Sequence, residues 1–98
     1  MFKLPKPIAF DWDKANVDKN WKKHNVEHRE AEEIFGNKPL IILKDVKHSQ
    51  IEERFIAYGV TNKNRKLHIV FTIRKEKIRV VSVRDQSKKE KSFYEKKD

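Results

Sequence analysis

The chain is predicted to fold as one α+β domain, with two helices first, a mostly antiparallel sheet next and one helix last. Three observations predict this class. Apolar residues recur at helical spacing over residues 13–35, and they alternate with polar residues between residues 40 and 83. A Ser-x-x-Glu capping box then occupies residues 87–90. At 98 residues the chain suits a single modest core.

The beginning of the chain predicts an extended arm over residues 1–9. Pro5 and Pro7 remove two backbone donors and disfavour helix in the residues that precede them. We therefore expect a short N-terminal arm followed by a single domain over residues 10–98.

Two short helices are expected next. Asp13 is the candidate N-cap of a helix that runs to about residue 24. A second helix is expected over residues 27–35. The residues expected to make the apolar faces of the two helices are Val17, Trp21 and His24, and then Ala31, Ile34 and Phe35.

Residues 40–85 change to the pattern of strands. Apolar runs at 40–43 and 55–60 are followed by a segment in which every second residue from Leu67 to Ile73 is apolar, which gives one clearly apolar face and predicts a central strand. A tight Lys75-Glu76 turn leads into the last strand, residues 78–83.

Positive charge is concentrated at the C-terminal end. Residues 63–98 contain 13 Lys and Arg against 5 Asp and Glu, a net charge of +8, whereas residues 1–62 have a net charge of +1. Such a block attracts polyanions, because each neutralised phosphate releases counterions. Nucleic acid is the leading partner class, although an acidic protein or an anionic membrane surface would be attracted by the same charge.

Several other classes of protein are not indicated. The chain has no cysteine, which excludes a disulfide framework and thiolate chemistry. It has no recognisable metal-ligand spacing and no glycine-rich phosphate loop, so neither a metal nor a cofactor is expected. Since no long apolar stretch follows Lys3 and Lys6, neither a signal peptide nor a membrane span is expected there, and a cytoplasmic protein is expected.

A series of motifs resembles the BrnT toxins of bacterial type II toxin–antitoxin systems. The series begins with Phe10-Asp11-Trp12-Asp13 and ends near Tyr94-Glu95. Between them lie Lys14, Asn20, Lys23-His24, Val26, Glu30-Ala31, Phe35, Glu53-Arg54, Gly59, the run from Ile78 to Arg84, Ser87 and Glu90.

The resemblance implies a RelE-like fold, endoribonuclease activity on RNA and neutralisation by a BrnA-like antitoxin that binds DNA. Operator DNA would then be contacted only through that antitoxin. The chain departs from the family pattern at Glu27, His28 and Asp85-Gln86. Asp85 bears most on activity, because its carboxylate is a candidate partner for Arg84, and such a pair would weaken phosphate binding.

Cleavage of RNA without a metal needs a base, a cation for the phosphate and an acid for the leaving oxygen. His24 and Glu53 are the candidates for proton transfer, and Arg54 and Arg84 are the candidates for the phosphate charge. The further candidates for RNA binding are Lys23, Arg79, Lys88 and Tyr94.

Each candidate also has a structural interpretation. His24 could be a packing residue or a cation at a helix C-terminus. Glu53 and Arg54 point to opposite faces if they lie in a strand, as do Arg79 and Arg84 unless a bulge intervenes. Glu90 is more simply the capping partner of Ser87 than a catalyst.

The aromatic side chains are likewise ambiguous. Tyr94 could serve either packing or the site. Trp12 and Trp21 are expected to pack in the core, with stacking on bases as the alternative.

We therefore expect a cytoplasmic ribonuclease toxin. In it the first helix, the Glu53-Arg54 strand and the strand ending at Arg84 converge on a basic RNA groove. Two rival functions share the same surface: a module that binds nucleic acid without cutting it, and a corepressor that binds only its antitoxin.

Overall fold

The computed structural model describes residues 4–48 and 51–96, which form the predicted α+β order of elements. Residues 1–3 of the predicted arm and the last two residues of the predicted domain lie outside the described residues. The helices are α1 (Lys14–His24), α2 (His28–Ile34) and α3 (Lys88–Lys96), the strands are β1 (Ile41–Lys44), β2 (Phe55–Val60), β3 (Lys66–Arg74) and β4 (Lys77–Asp85), and a short 3-10 helix spans Val46–His48.

The strands form one sheet in the order β1-β2-β3-β4, and every neighbouring pair is antiparallel. β3 is internal, which confirms the expectation from its alternation. The connection from β3 to β4 is the predicted tight turn, in which Lys75 and Glu76 have φ angles of 51° and 63°. Two residues with positive φ match the twist of the flanking strands. Before α1, Phe10 forms a parallel bridge with Ile78 of β4.

Side chains and a left-handed residue define the ends of the first two helices. Asp13 is the N-cap of α1, as predicted, and its Oδ1 accepts from the Ala15 backbone N–H at 2.8 Å. Asn25 ends α1 with φ 56°, a conformation that asparagine tolerates well. Glu27 precedes α2 and forms a capping box with Glu30. The turn between the helices is therefore specified locally.

The core lies between one face of the sheet, here called the inner face, and α2. A glycine permits the close approach of the helix, because a Cβ at Gly59 would lie 2.7 Å from the Ile34 Cβ. Trp12 packs against this core, as expected. The buried apolar residues of the core are Val26, Ala31, Ile34, Phe35, Phe55, Ala57, Leu67, Ile69, Phe71, Ile78, Val80 and Val83.

The predicted apolar stripe of α1 is wrong at Trp21, which is 48% exposed. The helix turns Asn20 toward β4 instead, and the buried Asn20 Oδ1 accepts from the Val83 backbone N–H at 3.2 Å. Asn16 donates its amide to the Val80 carbonyl at 3.3 Å. The physical reason is that β4 is an edge strand of the sheet, so its backbone needs polar partners from the helix beside it.

A β-bulge in β4 decides which side chains share a face. Val70 pairs with Ser82 and Phe71 pairs with Val80, so Val81 is the additional residue. Because of this shift, Arg79 and Arg84 lie on the same face of the sheet although their sequence numbers differ in parity. That face, opposite the core, is here called the outer face.

Candidate active site

A row of polar side chains crosses the outer face of the sheet. Tyr58 of β2 pairs with His68 of β3, and His68 pairs with Arg84 of β4. Side chains at paired positions lie side by side on one face. α3 packs over this row and contributes Glu90. We refer to Tyr58, His68, Arg84 and Glu90 as the Arg84 cluster.

Arg84 and Glu90 form a bidentate ion pair. The Arg84 Nη1 and Nη2 atoms donate to the two Glu90 carboxylate oxygens at 2.7 and 2.9 Å. Glu90 also completes the predicted capping box, because its Oε1 accepts from the Ser87 N–H at 2.8 Å while Ser87 Oγ accepts from the Glu90 N–H at 3.2 Å. The hydrogen bonds from Arg84 lower the pKa of Glu90 to about 2, so the carboxylate is ionised at neutral pH.

His68 is a buried imidazole between these charges. It is 9% exposed, its Nε2 lies 3.8 Å from Glu90 Oε2, and its Nδ1 has no hydrogen-bond partner in the described part of the chain. Burial and then the Arg84 charge lower the pKa of His68, which outweighs the opposite effect of Glu90. A neutral imidazole at pH 7 can accept a proton.

Tyr58 completes the row with a protonated phenol. Its ring lies edge-on to the His68 ring, with 5.3 Å between centroids. Burial, followed by the negative charge of Glu90, raises the pKa of Tyr58. The cluster thus combines a neutral base, a cation that can bind phosphate and a neutral proton donor, the three groups that metal-free RNA cleavage needs.

α3 limits access to the Arg84 cluster. The Phe93 ring of α3 lies 5.8 Å from the Tyr58 ring, measured between centroids. Below the helix, Tyr58 and His68 are each only 9% exposed. The Arg84 side chain is 38% exposed, so it is the most open basic group of the row.

Glu53 and Arg54 are not in a strand, contrary to the prediction. β2 begins at Phe55, and the Arg54 carbonyl accepts from the Asp45 N–H at 2.8 Å. The Glu53 carboxylate is exposed and lies 3.1 Å from the Lys44 ammonium group.

The predicted convergence of Glu53 with Arg84 is also wrong. Thr72 donates its hydroxyl to the Glu53 carbonyl, whereas Arg84 pairs with His68, four positions away and about 13 Å along β3. Glu53 and Arg84 therefore lie toward opposite ends of β3, a separation that the sequence alone does not reveal.

Asp85 pairs with Arg65 and not with Arg84, which corrects the expectation from sequence adjacency. Arg65 Nε and Nη2 donate to the Asp85 carboxylate at 2.6 and 3.0 Å. These bonds lower the pKa of Asp85. Arg65 also binds both Glu30 carboxylate oxygens at 3.2 Å. We refer to Arg65, Asp85 and Glu30 as the Arg65 cluster.

His24 and Lys23 lie at the C-terminal end of α1. The His24 carbonyl accepts from Arg65 Nη2 at 3.2 Å, so the structure joins this residue to the Arg65 cluster through its backbone. The His24 side chain is half-buried, and Lys23 is exposed.

The remaining predicted RNA-binding residues have different environments. Arg79 lies on the outer face but is held by Asp11 and Asp13, each at 3.2 Å. Lys88 is exposed at the first position of α3. Tyr94 is 3% exposed and donates its hydroxyl to the Pro39 carbonyl. Its burial serves the packing of α3, which corrects the expectation of an RNA-binding tyrosine.

Sequence reasoning did not select His68 or Tyr58. One signal was available: His68 is a titratable residue inside a central strand, on the side opposite Leu67 and Ile69. Burial of an ionisable group is costly unless the protein uses it or pairs it. The alternation could have marked His68, but only the pairing of strands puts it beside Arg84.

The described residues contain neither a candidate metal-binding group of side chains nor a helix that could span a membrane. Within residues 4–48 and 51–96, no group of three or more acidic or histidine side chains could hold a metal ion. Over the same residues, every helix is too short or too polar to cross a membrane.

A comparison with models of protein families matches residues 12–90 to the ribonuclease toxin BrnT of type II toxin–antitoxin systems. A search of curated proteins found no match. The matched segment extends from Trp12, in front of α1, to Glu90 of the Arg84 cluster, and it covers most of the chain. The chain therefore belongs to the BrnT family of ribonuclease toxins.

Proposed function

We propose that this protein is a metal-independent endoribonuclease and that the Arg84 cluster is its reaction centre. The observation that carries the proposal is the row of Tyr58, His68 and Arg84 across the outer face. A neutral imidazole, a guanidinium and a protonated phenol stand next to one another there. This is the chemistry that cleavage of a ribose–phosphate chain requires.

In the proposed reaction His68 removes the proton of the 2′-hydroxyl, whose oxygen then attacks the adjacent phosphorus. Arg84 binds the non-bridging phosphate oxygens and stabilises the charge that accumulates on them. Tyr58 gives its proton to the departing 5′ oxygen. One O–P bond forms and one breaks, which leaves a 2′,3′-cyclic phosphate and a 5′-hydroxyl.

The substrate would reach this centre across a basic surface. Lys23 and Lys88 are exposed, and Arg79 lies on the same face as Arg84. We propose that the two lysines bind the phosphates of flanking nucleotides, and that Arg79 does so only after it releases Asp11 and Asp13. Such contacts make binding weaken steeply with salt.

The earlier candidates His24, Glu53 and Arg54 lie outside the Arg84 cluster, and their proposed contribution is secondary. His24 is adjacent to the Arg65 cluster, close to the end of β4. Glu53 and Arg54 would act only at a remote part of a long substrate. Variants of these residues are therefore measured separately from variants of the Arg84 cluster in the cleavage test below.

A type II system supplies an antitoxin partner. We propose that it is BrnA-like, binds operator DNA itself and covers the basic outer face with acidic and apolar residues. We further infer that the fold is RelE-like, which the antiparallel sheet between two N-terminal helices and one C-terminal helix supports. A cytoplasmic location would give access to substrate RNA.

The test is cleavage of a defined RNA by the purified protein in excess chelator. We expect His68→Ala and Arg84→Ala to lower the cleavage rate by orders of magnitude, and Tyr58→Phe to lower it less. Glu53→Gln and His24→Ala serve as matched controls outside the cluster. Full cleavage by His68→Ala and Arg84→Ala would overturn this reaction centre.

A second function is a non-catalytic module that binds nucleic acid or acts as a corepressor with the antitoxin. The covering of Tyr58 and His68 by α3 favours it, because a substrate cannot reach them in the closed arrangement. RNA binding with steep salt dependence, without cleavage, would support a nucleic-acid-binding module. Antitoxin binding without RNA affinity would support the corepressor alone.

A further inference from the structure

The group proposed to bind the scissile phosphate is already occupied within the chain. The two terminal nitrogens of Arg84 donate to the two carboxylate oxygens of Glu90 at 2.7 and 2.9 Å. A carboxylate bound in this way uses the same pair of donors that a phosphodiester would use. A phosphodiester that bound Arg84 in this way would have to displace Glu90.

Glu90 belongs to the helix that also covers the rest of the row. α3 places Phe93 against Tyr58, and His68 is buried beside Glu90. At its far end α3 is attached to the sheet by an ion pair between Lys66 and Glu95. Contacts at both ends of one short helix thus close the site.

The segment before α3 is anchored, so movement of the helix would begin at Ser87. The Gln86 backbone N–H donates to the Lys66 carbonyl at 3.0 Å, and its side chain donates to the Leu67 carbonyl at 3.1 Å. Of the described residues of α3, only Tyr94 is buried. Opening α3 would expose this one buried side chain and break its hydrogen bond to the Pro39 carbonyl, which costs less than disrupting the core.

We propose that α3 is a lid over the active site, that Glu90 is a built-in competitor of the substrate phosphate, and that RNA binds when the lid opens about Ser87. The proposal rests on the proposed function, since its ligand is RNA. It goes further in assigning an inhibitory role to Glu90 and a gating role to α3. In the protein without RNA, α3 would then be closed and Arg84 would be bound to Glu90.

The first experiment closes the lid covalently. The chain contains no cysteine, so Lys66→Cys with Glu95→Cys can be joined by a short bis-methanethiosulfonate linker that a reductant removes. Binding is measured with a fully 2′-O-methylated RNA, which cannot be cleaved. We expect the linked protein to bind at least tenfold more weakly and to regain its affinity on reduction.

The matched control uses another surface ion pair, Arg74 with Glu52, which lies at the opposite end of β3 from Lys66. Arg74→Cys with Glu52→Cys, linked with the same reagent, leaves α3 free. Its affinity should not change on linking. Equal affinities of the linked and reduced Lys66→Cys/Glu95→Cys protein would overturn the lid.

The second experiment is Glu90→Gln. Glutamine keeps the capping box but removes the charge that holds Arg84. We expect the affinity for the same methylated RNA to rise by roughly three- to tenfold. The reason is that the open state, in which Arg84 is released and can bind RNA, is then more populated. Unchanged or weaker binding would overturn the role of Glu90 as a competitor.

These measurements separate the lid from the ribonuclease proposal. If linking abolishes binding while the unlinked native protein never cleaves RNA in chelator, the lid stands and the catalytic assignment is wrong. If the native protein cleaves RNA and linking changes neither binding nor cleavage, the ribonuclease proposal stands and the lid is wrong.

Discussion

Two arginines near the same end of the sheet bind carboxylates but have different surroundings. Arg65 binds two carboxylates, Glu30 and Asp85, and also the backbone carbonyls of His24 and Asn25. Arg84 binds one carboxylate, on α3, and one backbone carbonyl, that of its neighbour in sequence. Among the described residues, Arg65 therefore connects both N-terminal helices to β3 and β4, whereas Arg84 connects β4 to the last helix.

The difference indicates which arginine is available for a ligand. Four groups from three parts of the fold surround Arg65, and they cannot all be replaced by one phosphate. The carboxylate partner of Arg84 is a single side chain that one phosphate can replace. The Arg84 cluster also contains a buried nitrogen, His68 Nδ1, that has no hydrogen-bond partner among residues 4–48 and 51–96. We infer that Arg65 stabilises the fold and that Arg84 serves the reaction.

The largest expected effect is on activity, in Arg84→Ala. We expect the rate of RNA cleavage to fall about 10²- to 10³-fold, because the charge on the reacting phosphate loses its main stabilising group. The free energy of unfolding should fall by about 1 kcal/mol, since Glu90 of α3 and the Asp85 carbonyl each lose a partner. Single-turnover kinetics and urea denaturation measure the two quantities.

One outcome would contradict the distinction between a catalytic Arg84 and a structural Arg65. If Arg84→Ala destabilised the protein as much as Arg65→Ala did, and folded molecules kept their activity, both arginines would be structural.

The next largest effect is on stability, in Arg65→Ala. We expect the free energy of unfolding to fall by about 2–3 kcal/mol, because two carboxylates and two carbonyls lose a partly buried partner. Arg65→Lys should recover less than half of this loss, since an ammonium group cannot form the same fork of hydrogen bonds. Cleavage per folded molecule should remain near that of the native protein, as measured at a temperature where both variants are folded.

Acid should weaken the contact between α3 and Arg84. Because Arg84 lowers the pKa of Glu90 from 4.5 to about 2, the stabilisation by this carboxylate is fully present above pH 4.5 and is lost as the pH falls toward 2. The native protein should therefore exceed Glu90→Gln in stability by a constant amount above pH 5. The gap should close between pH 4.5 and 2 in denaturation experiments. A gap that stays constant down to pH 2 would contradict the ion pair.

The smallest effect tests how α3 begins. Ser87→Ala removes the hydroxyl that accepts from the Glu90 N–H and should cost about 1 kcal/mol of stability. Ser87→Thr, which retains the hydroxyl, is the control. Because the Arg84–Glu90 pair remains, the acid sensitivity of the variant should match that of the native protein.

Local signals in the sequence were sufficient for most of the elements. The cap at Asp13, the Lys75-Glu76 turn and the box formed by Ser87 and Glu90 each depend on residues within a few positions of one another. The prediction of β3 likewise depends on a pattern within one strand, in which every second residue faces the core. The structure confirms all of these predictions.

The errors concern residues whose partners are distant in the sequence. Trp21 was assigned to the core from helical spacing, but the edge of β4 attracts the polar side of α1. Asp85 was a candidate partner for its neighbour Arg84, but its carboxylate accepts two hydrogen bonds from Arg65, which is 20 positions away in the sequence. Glu53 was a candidate because its carboxylate can transfer a proton, but it lies by Thr72, four positions along β3 from the partner of Arg84, and a linear chain does not reveal that separation.

By itself the sequence determined the α+β class, the cap at Asp13, the capping box at Ser87, the basic C-terminal third and the resemblance to BrnT toxins, which the family match confirms. The tertiary structure alone decided that Tyr58, His68 and Arg84 form one row and that Glu90 occupies the arginine. The physical reason is register: strand pairing and the bulge at Val81 determine which side chains meet on a face, and those pairings join residues far apart in the chain.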